Sequence, residues 1–221
     1  PGNRIEFVTF ASAGNSTDFG DTTVAVRNST GCSSSTRGVF MGGANSSNAV
    51  QNVMDYITIA SAGNATDFGN LTAAKSSGTG SNSSTRGIYA LGYISAVTNV
   101  IEYVTIASAG NGTDFGDATV ARLSPANGVI SSGTRGVFAG GNASGNINVN
   151  TMDYITIATT GNALDFGDLV AVSEAPASCS STVRGIIAGN AAPNSNVIQY
   201  ITIDSTGNAT DFGDLLSDIS S

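Results

Sequence analysis

The sequence contains no histidine and no tryptophan, a single lysine (Lys75), four prolines and two cysteines. Without histidine, neither a Ser-His-Asp triad nor an imidazole-bound metal can be built. Charged residues make up 11% of the chain, against roughly 25% in ordinary globular domains, and the formal net charge is −8. So few cations exclude electrostatic capture of DNA, RNA or anionic lipid, and no nucleic-acid partner is expected. No run approaches the ~18 apolar residues that a membrane span requires, so no membrane insertion is expected. No secretory leader is recognisable, and Pro1-Gly2-Asn3 reads as the inside of a turn. Cys32 and Cys179 each stand five residues before an Arg-Gly pair. Equivalent positions in different repeats are held apart, so two free thiols are expected.

What the chain does have is repetition. Its 221 residues include 28 glycines, and Asp-Phe-Gly recurs at Asp18, Asp67, Asp114, Asp165 and Asp211. The phenylalanines are Phe19, Phe68, Phe115, Phe166 and Phe212. Arg-Gly recurs at Arg37, Arg86, Arg135 and Arg184. A period of about 45–50 residues in a strand-like sequence marks a β-propeller blade. The expected fold is all-β: a propeller of about five four-stranded antiparallel blades, with an incomplete blade at each end. Residues 1–221 read as one unit with repeats near 5–53, 54–100, 101–151, 152–197 and 198–221, a segment of a longer chain.

Within one repeat, Val137 to Ala139 is a short apolar run closed by Gly140-Gly141 and suits a buried inner strand. Met152 to Ile157 alternates with period two, as a half-buried strand does. Gly161-Asn162 signals the tight turn to a third strand around Phe166, and Leu169 to Val172 begins a fourth. The Ser-rich stretches 28–35, 76–84, 124–132 and 173–181 read as variable linkers on the blade ends, the place to look for specific binding.

This order resembles the kelch motif, in which an apolar strand ends in Gly-Gly, a Tyr lies in the second strand and a large aromatic in the third. Here the Gly-Gly is Gly42-Gly43 and Gly140-Gly141, becoming Leu91-Gly92 and Gly189-Asn190 in the other copies. The Tyr position holds Phe7, Tyr56, Tyr103, Tyr154 and Tyr200, and Phe stands where kelch repeats usually carry Trp. The fuller pattern of Tyr-Ile-Thr-Ile-Ala-Ser, Gly-Asn-Ala-Thr-Asp-Phe-Gly and Thr-Arg-Gly-Val-Phe is similar to kelch-like repeats in structural proteins of tailed, mostly marine, bacteriophages. That resemblance implies a virion tail or surface protein with other virion proteins, further copies of itself and a host surface glycan as partners.

The acidic residues are the remaining candidates for acid–base chemistry. Most occupy repeat positions: Glu6, Asp55, Glu102 and Asp153 precede the aromatic, and the five Asp-Phe-Gly aspartates recur as a set. A catalytic site does not need five copies, so a structural role is expected for the repeated Asp, Phe and Arg, with each Arg paired to an acid. A glycosidase needs two carboxylates facing each other across a pocket, and the repeats offer no unique pair. Asp18-Phe19-Gly20-Asp21 invites a calcium reading, but the second acid becomes Asn70 in the next copy and the dense carboxylate spacing of a calcium loop is missing. No cofactor, metal or catalytic residue is expected. The expected function is a non-enzymatic virion component for structure or host attachment, located in the particle. The alternative is a secreted lectin or adhesin with a sugar site between each pair of blades.

Overall fold

The computed structural model describes residues 1–191 and 194–219, so residues 192–193 and 220–221 of the last two repeats lie outside the description. Among the described residues every regular element is a β-strand. The first sheet has two strands, β1 (Gly2–Phe7) and β2 (Thr17–Val26). The second holds β3 (Thr30–Ser33), β4 (Arg37–Met41), β5 (Val53–Thr58) and β6 (Thr66–Asn70) in that spatial order. The third repeats it with β7 (Thr79–Asn82), β8 (Arg86–Ala90), β9 (Val100–Thr105) and β10 (Thr113–Asp117).

The fourth sheet is less regular: β11 (Arg122–Leu123), β12 (Arg135–Ala139), β13 (Asn142–Ala143), β14 (Ile147–Thr156) and β15 (Leu164–Ser173). The fifth is β16 (Ala177–Ser180), β17 (Arg184–Ala191), β18 (Asn194–Thr202) and β19 (Thr210–Ile219). All ladders within the sheets are antiparallel.

The arrangement is propeller-like, with four full blades and one two-stranded sheet rather than five blades. Only the first sheet is short of strands; the last has all four, so the expectation of an incomplete blade at each end holds at one end only. Gly2 already pairs with Val26, and Asn3 lies in β1 at a register shift, not in a turn.

Two strand assignments change. In the second, third and fifth sheets the Arg-Gly strand is second, and the innermost strand comes from the Ser-rich stretch read as a linker: β3, β7 and β16. In the fourth sheet β12 pairs with β14 alone, and 124–132 contributes to it only the isolated bridge of Ser131 to Gly136. Small residues there let neighbouring blades approach closely. Asn82 Nδ2 donates to the Ser33 carbonyl at 2.9 Å, and Ser131 Oγ donates to the Asn82 carbonyl at 2.8 Å. Leu169 to Val172 does not start a fourth strand but prolongs β15.

The core is divided between blades rather than pooled. One cluster joins Val39, Met54 and Phe68 of the second sheet to Val104 and Ile106 of the third. The next joins Ile88, Ile101 and Phe115 to Phe138, Ile155 and Ile157 of the fourth. The third joins Val137, Met152 and Phe166 to Ile187, Ile201 and Ile203 of the fifth. An interior sheet is therefore covered on both faces. That is why Ile101, Glu102 and Val104 of β9 are all buried, where period-two alternation predicts a half-buried strand.

Candidate functional site

Each Asp-Phe-Gly motif is a β-bulge. Met54 pairs with Gly69 and Asp55 with Asp67, leaving Phe68 as the extra residue; the same shift places Phe19, Phe115, Phe166 and Phe212. The extra residue turns the ring onto the face of its blade, edge-on to the Tyr or Phe of the neighbouring strand at 5.9–6.1 Å between centroids. It also frees the Phe carbonyl for the next blade. Gly63, Gly110, Gly161 and Gly207 donate backbone N–H to the carbonyls of Phe19, Phe68, Phe115 and Phe166, each at 2.7 Å. The adjoining Asn64, Asn111, Asn162 and Asn208 accept through Oδ1 from the backbone N–H of Asp21, Asn70, Asp117 and Asp168, each at 3.0 Å. The Gly-Asn turn of one blade is thus a latch on the bulge of the blade before it. The bulge glycine must stay bare: at Gly20, Gly69, Gly116 and Gly167, φ is +132° to +146°, and a Cβ would fall 2.4–2.5 Å from the carbonyl oxygen of the facing turn.

The aspartates of the motif are exposed and do not meet the arginines. Asp67 and Asp211 accept from the N–H of Gly69 and Gly213 at 3.3 and 3.0 Å, a local turn role. The expected Arg–acid pairs are replaced by another arrangement. Arg37, Arg86, Arg135 and Arg184 lie over the rings of Tyr56, Tyr103, Tyr154 and Tyr200 at 4.2–4.3 Å. From there Arg37, Arg86 and Arg135 donate to the carbonyls of Ile106, Ile157 and Ile203 in the next blade, at 2.7–3.0 Å. A planar guanidinium on an aromatic ring needs fewer charged acceptors, so no carboxylate is required. The glycine after each Arg is also a contact: a Cβ on Gly87 would stand 2.2 Å from Cys32 Sγ of the preceding blade.

The buried charges are elsewhere. Lys75 pairs with Glu102, and Arg122 pairs with Asp153 at 2.6 Å; all four side chains are fully buried. Arg122 also donates to the Gly140 and Phe138 carbonyls, and burial lowers its pKa against the upward pull of Asp153. Lys75 Nζ lies 5.0 Å from the Tyr89 ring centroid, and burial raises the Tyr89 phenol. Thr72 donates its backbone N–H to Glu102 at 2.7 Å, and Asp55 accepts from Thr23 N–H and Oγ1 at 2.8 Å. The fifth copy has Gln199 in place of the acid, accepting from Val170 N–H at 2.9 Å. The signal for these pairs was present in the sequence. Lys75, the only lysine, occupies the same repeat position as Arg122, opposite the acids that precede each tyrosine.

Among the described residues, no three acidic or cysteine side chains converge as a metal site would require. Cys32 and Cys179 are free, the first buried and the second exposed. The surface offers shallow, uncharged cavities. One of about 570 Å³ lies where the inner segments of three successive blades meet, at Thr30, Gly31, Thr79, Gly80, Asn127 and Gly128. Its walls belong to the stretches singled out for binding, now recognised as innermost strands and their entry turns. Two more, of about 290 and 330 Å³, lie at equivalent hairpins of the fourth and fifth sheets. Thr159, Thr160 and Asn162 line one, and Ser205, Thr206 and Asn208 line the other.

Compared with known proteins, the chain matches no family model and no curated protein.

Proposed function

We propose that this chain is a non-enzymatic structural element, a stiff array of blades that presents variable turns, and that it serves in a bacteriophage particle as a tail or host-attachment component. The kelch-like motif order and the likeness to phage structural repeats support the setting. The observation that carries the mechanical part is where the repeated polar groups go. The Arg, the Gly-Asn turn and the buried acids are engaged across blade junctions, so the chemistry of the repeat is used for holding blades together. Its partners in this reading are other virion proteins, further copies of the chain and a host surface glycan. Mass spectrometry of purified particles, followed by antibody labelling of the tail in electron micrographs, tests the proposal. The chain should copurify with particles in a fixed ratio; recovery only from the soluble fraction of the lysate defeats it.

The second reading is a secreted carbohydrate-binding module with repeated sites. It is favoured by the equivalent hydroxyl- and amide-lined hollows at Thr159–Asn162 and Ser205–Asn208, whose polar groups suit a neutral sugar. On a glycan array, binding with more than one site per chain that is lost in Thr160→Val and Thr206→Val supports this reading over the first.

A further inference from the structure

The interface that joins blades inside the chain has two unlike halves. The donating half presents the bulge Phe with its free carbonyl, the backbone of the residue after the bulge Gly, and the Arg on its Tyr. The receiving half presents the Gly-Asn turn, the buried acid or Gln, and two apolar residues such as Val104 and Ile106. Four junctions share the same latch hydrogen bonds, and three of them add the Arg contact, since the first sheet has no Arg-Gly strand.

Among the described residues, one such half is left uncovered on the first sheet and one on the fifth. On the fifth sheet, Phe212 is 56% exposed, whereas Phe68, Phe115 and Phe166 are at 2%. Leu215, the counterpart of the buried Leu71, Ala118 and Leu169, is only half-buried, Arg184 is exposed, and a Cβ on Gly213 would meet nothing within 4 Å. On the first sheet, Gly14-Asn15 is exposed, as are Val8 and Phe10, the counterparts of Val104 and Ile106. Glu6 occupies the place of Asp55 and Glu102, where it would receive the backbone N–H of Leu216 as Asp55 receives that of Thr23.

We infer that two copies of this chain dock head to tail, with the Gly14-Asn15 turn and the Val8 and Phe10 side chains of one copy seated on the Phe212 bulge, Leu215 and Arg184 of the other. The occupant is a second copy because the complementary half is present on this same chain, and the fit is displayed within it by four latches, three of them with the Arg contact. Such a contact is heterologous: it ends in a closed assembly if the rotation returns on itself and otherwise extends. The inference deepens the proposed function and rests on its self-association clause.

The test uses the whole chain with Phe10→Asp and Phe212→Asp, two substitutions at exposed positions, each checked for an unchanged far-UV spectrum. In sedimentation velocity, the unaltered chain should show mass rising with concentration above the monomer. Each variant alone should sediment as a monomer, because every copy has lost the same half. An equimolar mixture should form a one-to-one dimer that grows no further, since one good donating half and one good receiving half remain. A monomer at every concentration for the unaltered chain, self-association of either variant alone, or no dimer in the mixture each overturns the inference. Failure here with the chain still present in purified particles leaves the proposed function standing, whereas its absence from particles removes the phage setting and leaves the docking result untouched.

Discussion

Cys32 and Cys179 occupy the same position in two repeats, yet their surroundings separate them. Cys32 faces Gly87 across a blade junction, and burial pushes its thiol from 9.0 up to about 12. Cys179 lies exposed on β16. Iodoacetamide at pH 8 should therefore modify Cys179 and spare Cys32, as peptide mass mapping will read, because the thiolate is the nucleophile. A raised folded-state pKa favours the protonated form, so Cys32's contribution to stability is complete below about pH 9 and declines as pH rises towards about 12. Cys32→Ser should flatten the loss of stability in that window. The buried ion pairs make a sharper case. Glu102→Gln leaves Lys75 without its counter-charge, and removing one partner of a buried pair costs roughly 3–5 kcal/mol. The fifth sheet already runs the same contact without charge, Gln199 facing Val170 N–H. The double change Lys75→Ser with Glu102→Gln should thus be more stable than Glu102→Gln alone in urea unfolding.

The strand pair carrying the aromatic column contributes according to whether another blade covers it. Phe115 packs in the cluster between the third and fourth sheets, while Phe212 sits on a bulge of the same geometry and is 56% exposed among the described residues. Phe115→Ala should cost about 3–5 kcal/mol of unfolding free energy, in the range of large-to-small core changes. Phe212→Ala should cost under about 1 kcal/mol, since an exposed ring has little burial to lose. Equal losses at the two positions would mean that Phe212 is covered in solution, which itself bears on head-to-tail docking.

A core divided into clusters between adjacent blades makes stability a sum of neighbour terms rather than a single pooled quantity. Sheets with neighbours on both faces should open last. In hydrogen exchange, amides of β8, β9, β12 and β14 should be the slowest, and those of β1 and β2 among the fastest, because the first sheet has two strands and one covered face. Uniform protection across all five sheets would contradict a divided core.

The period, the all-β class and the order of the aromatic strands were legible in the sequence because a blade is a local unit, and its alternation, turns and glycines recur within some fifty residues. The roles of the repeated side chains were not, because each is set by a partner one repeat away. Arg37 reaches Ile106, Thr23 reaches Asp55 and Gly63 reaches Phe19, and no pattern inside one repeat names those partners. The Ser-rich stretches looked like linkers since they carry little apolar signal. They become inner strands only when neighbouring blades bring their backbones close enough to need small residues. Charge complementarity misled for the arginines, because an aromatic ring and a carbonyl satisfied them. The cations buried against acids are Lys75, in the connection between the second and third sheets, and Arg122, on β11, which reaches Asp153 of β14 within the fourth sheet.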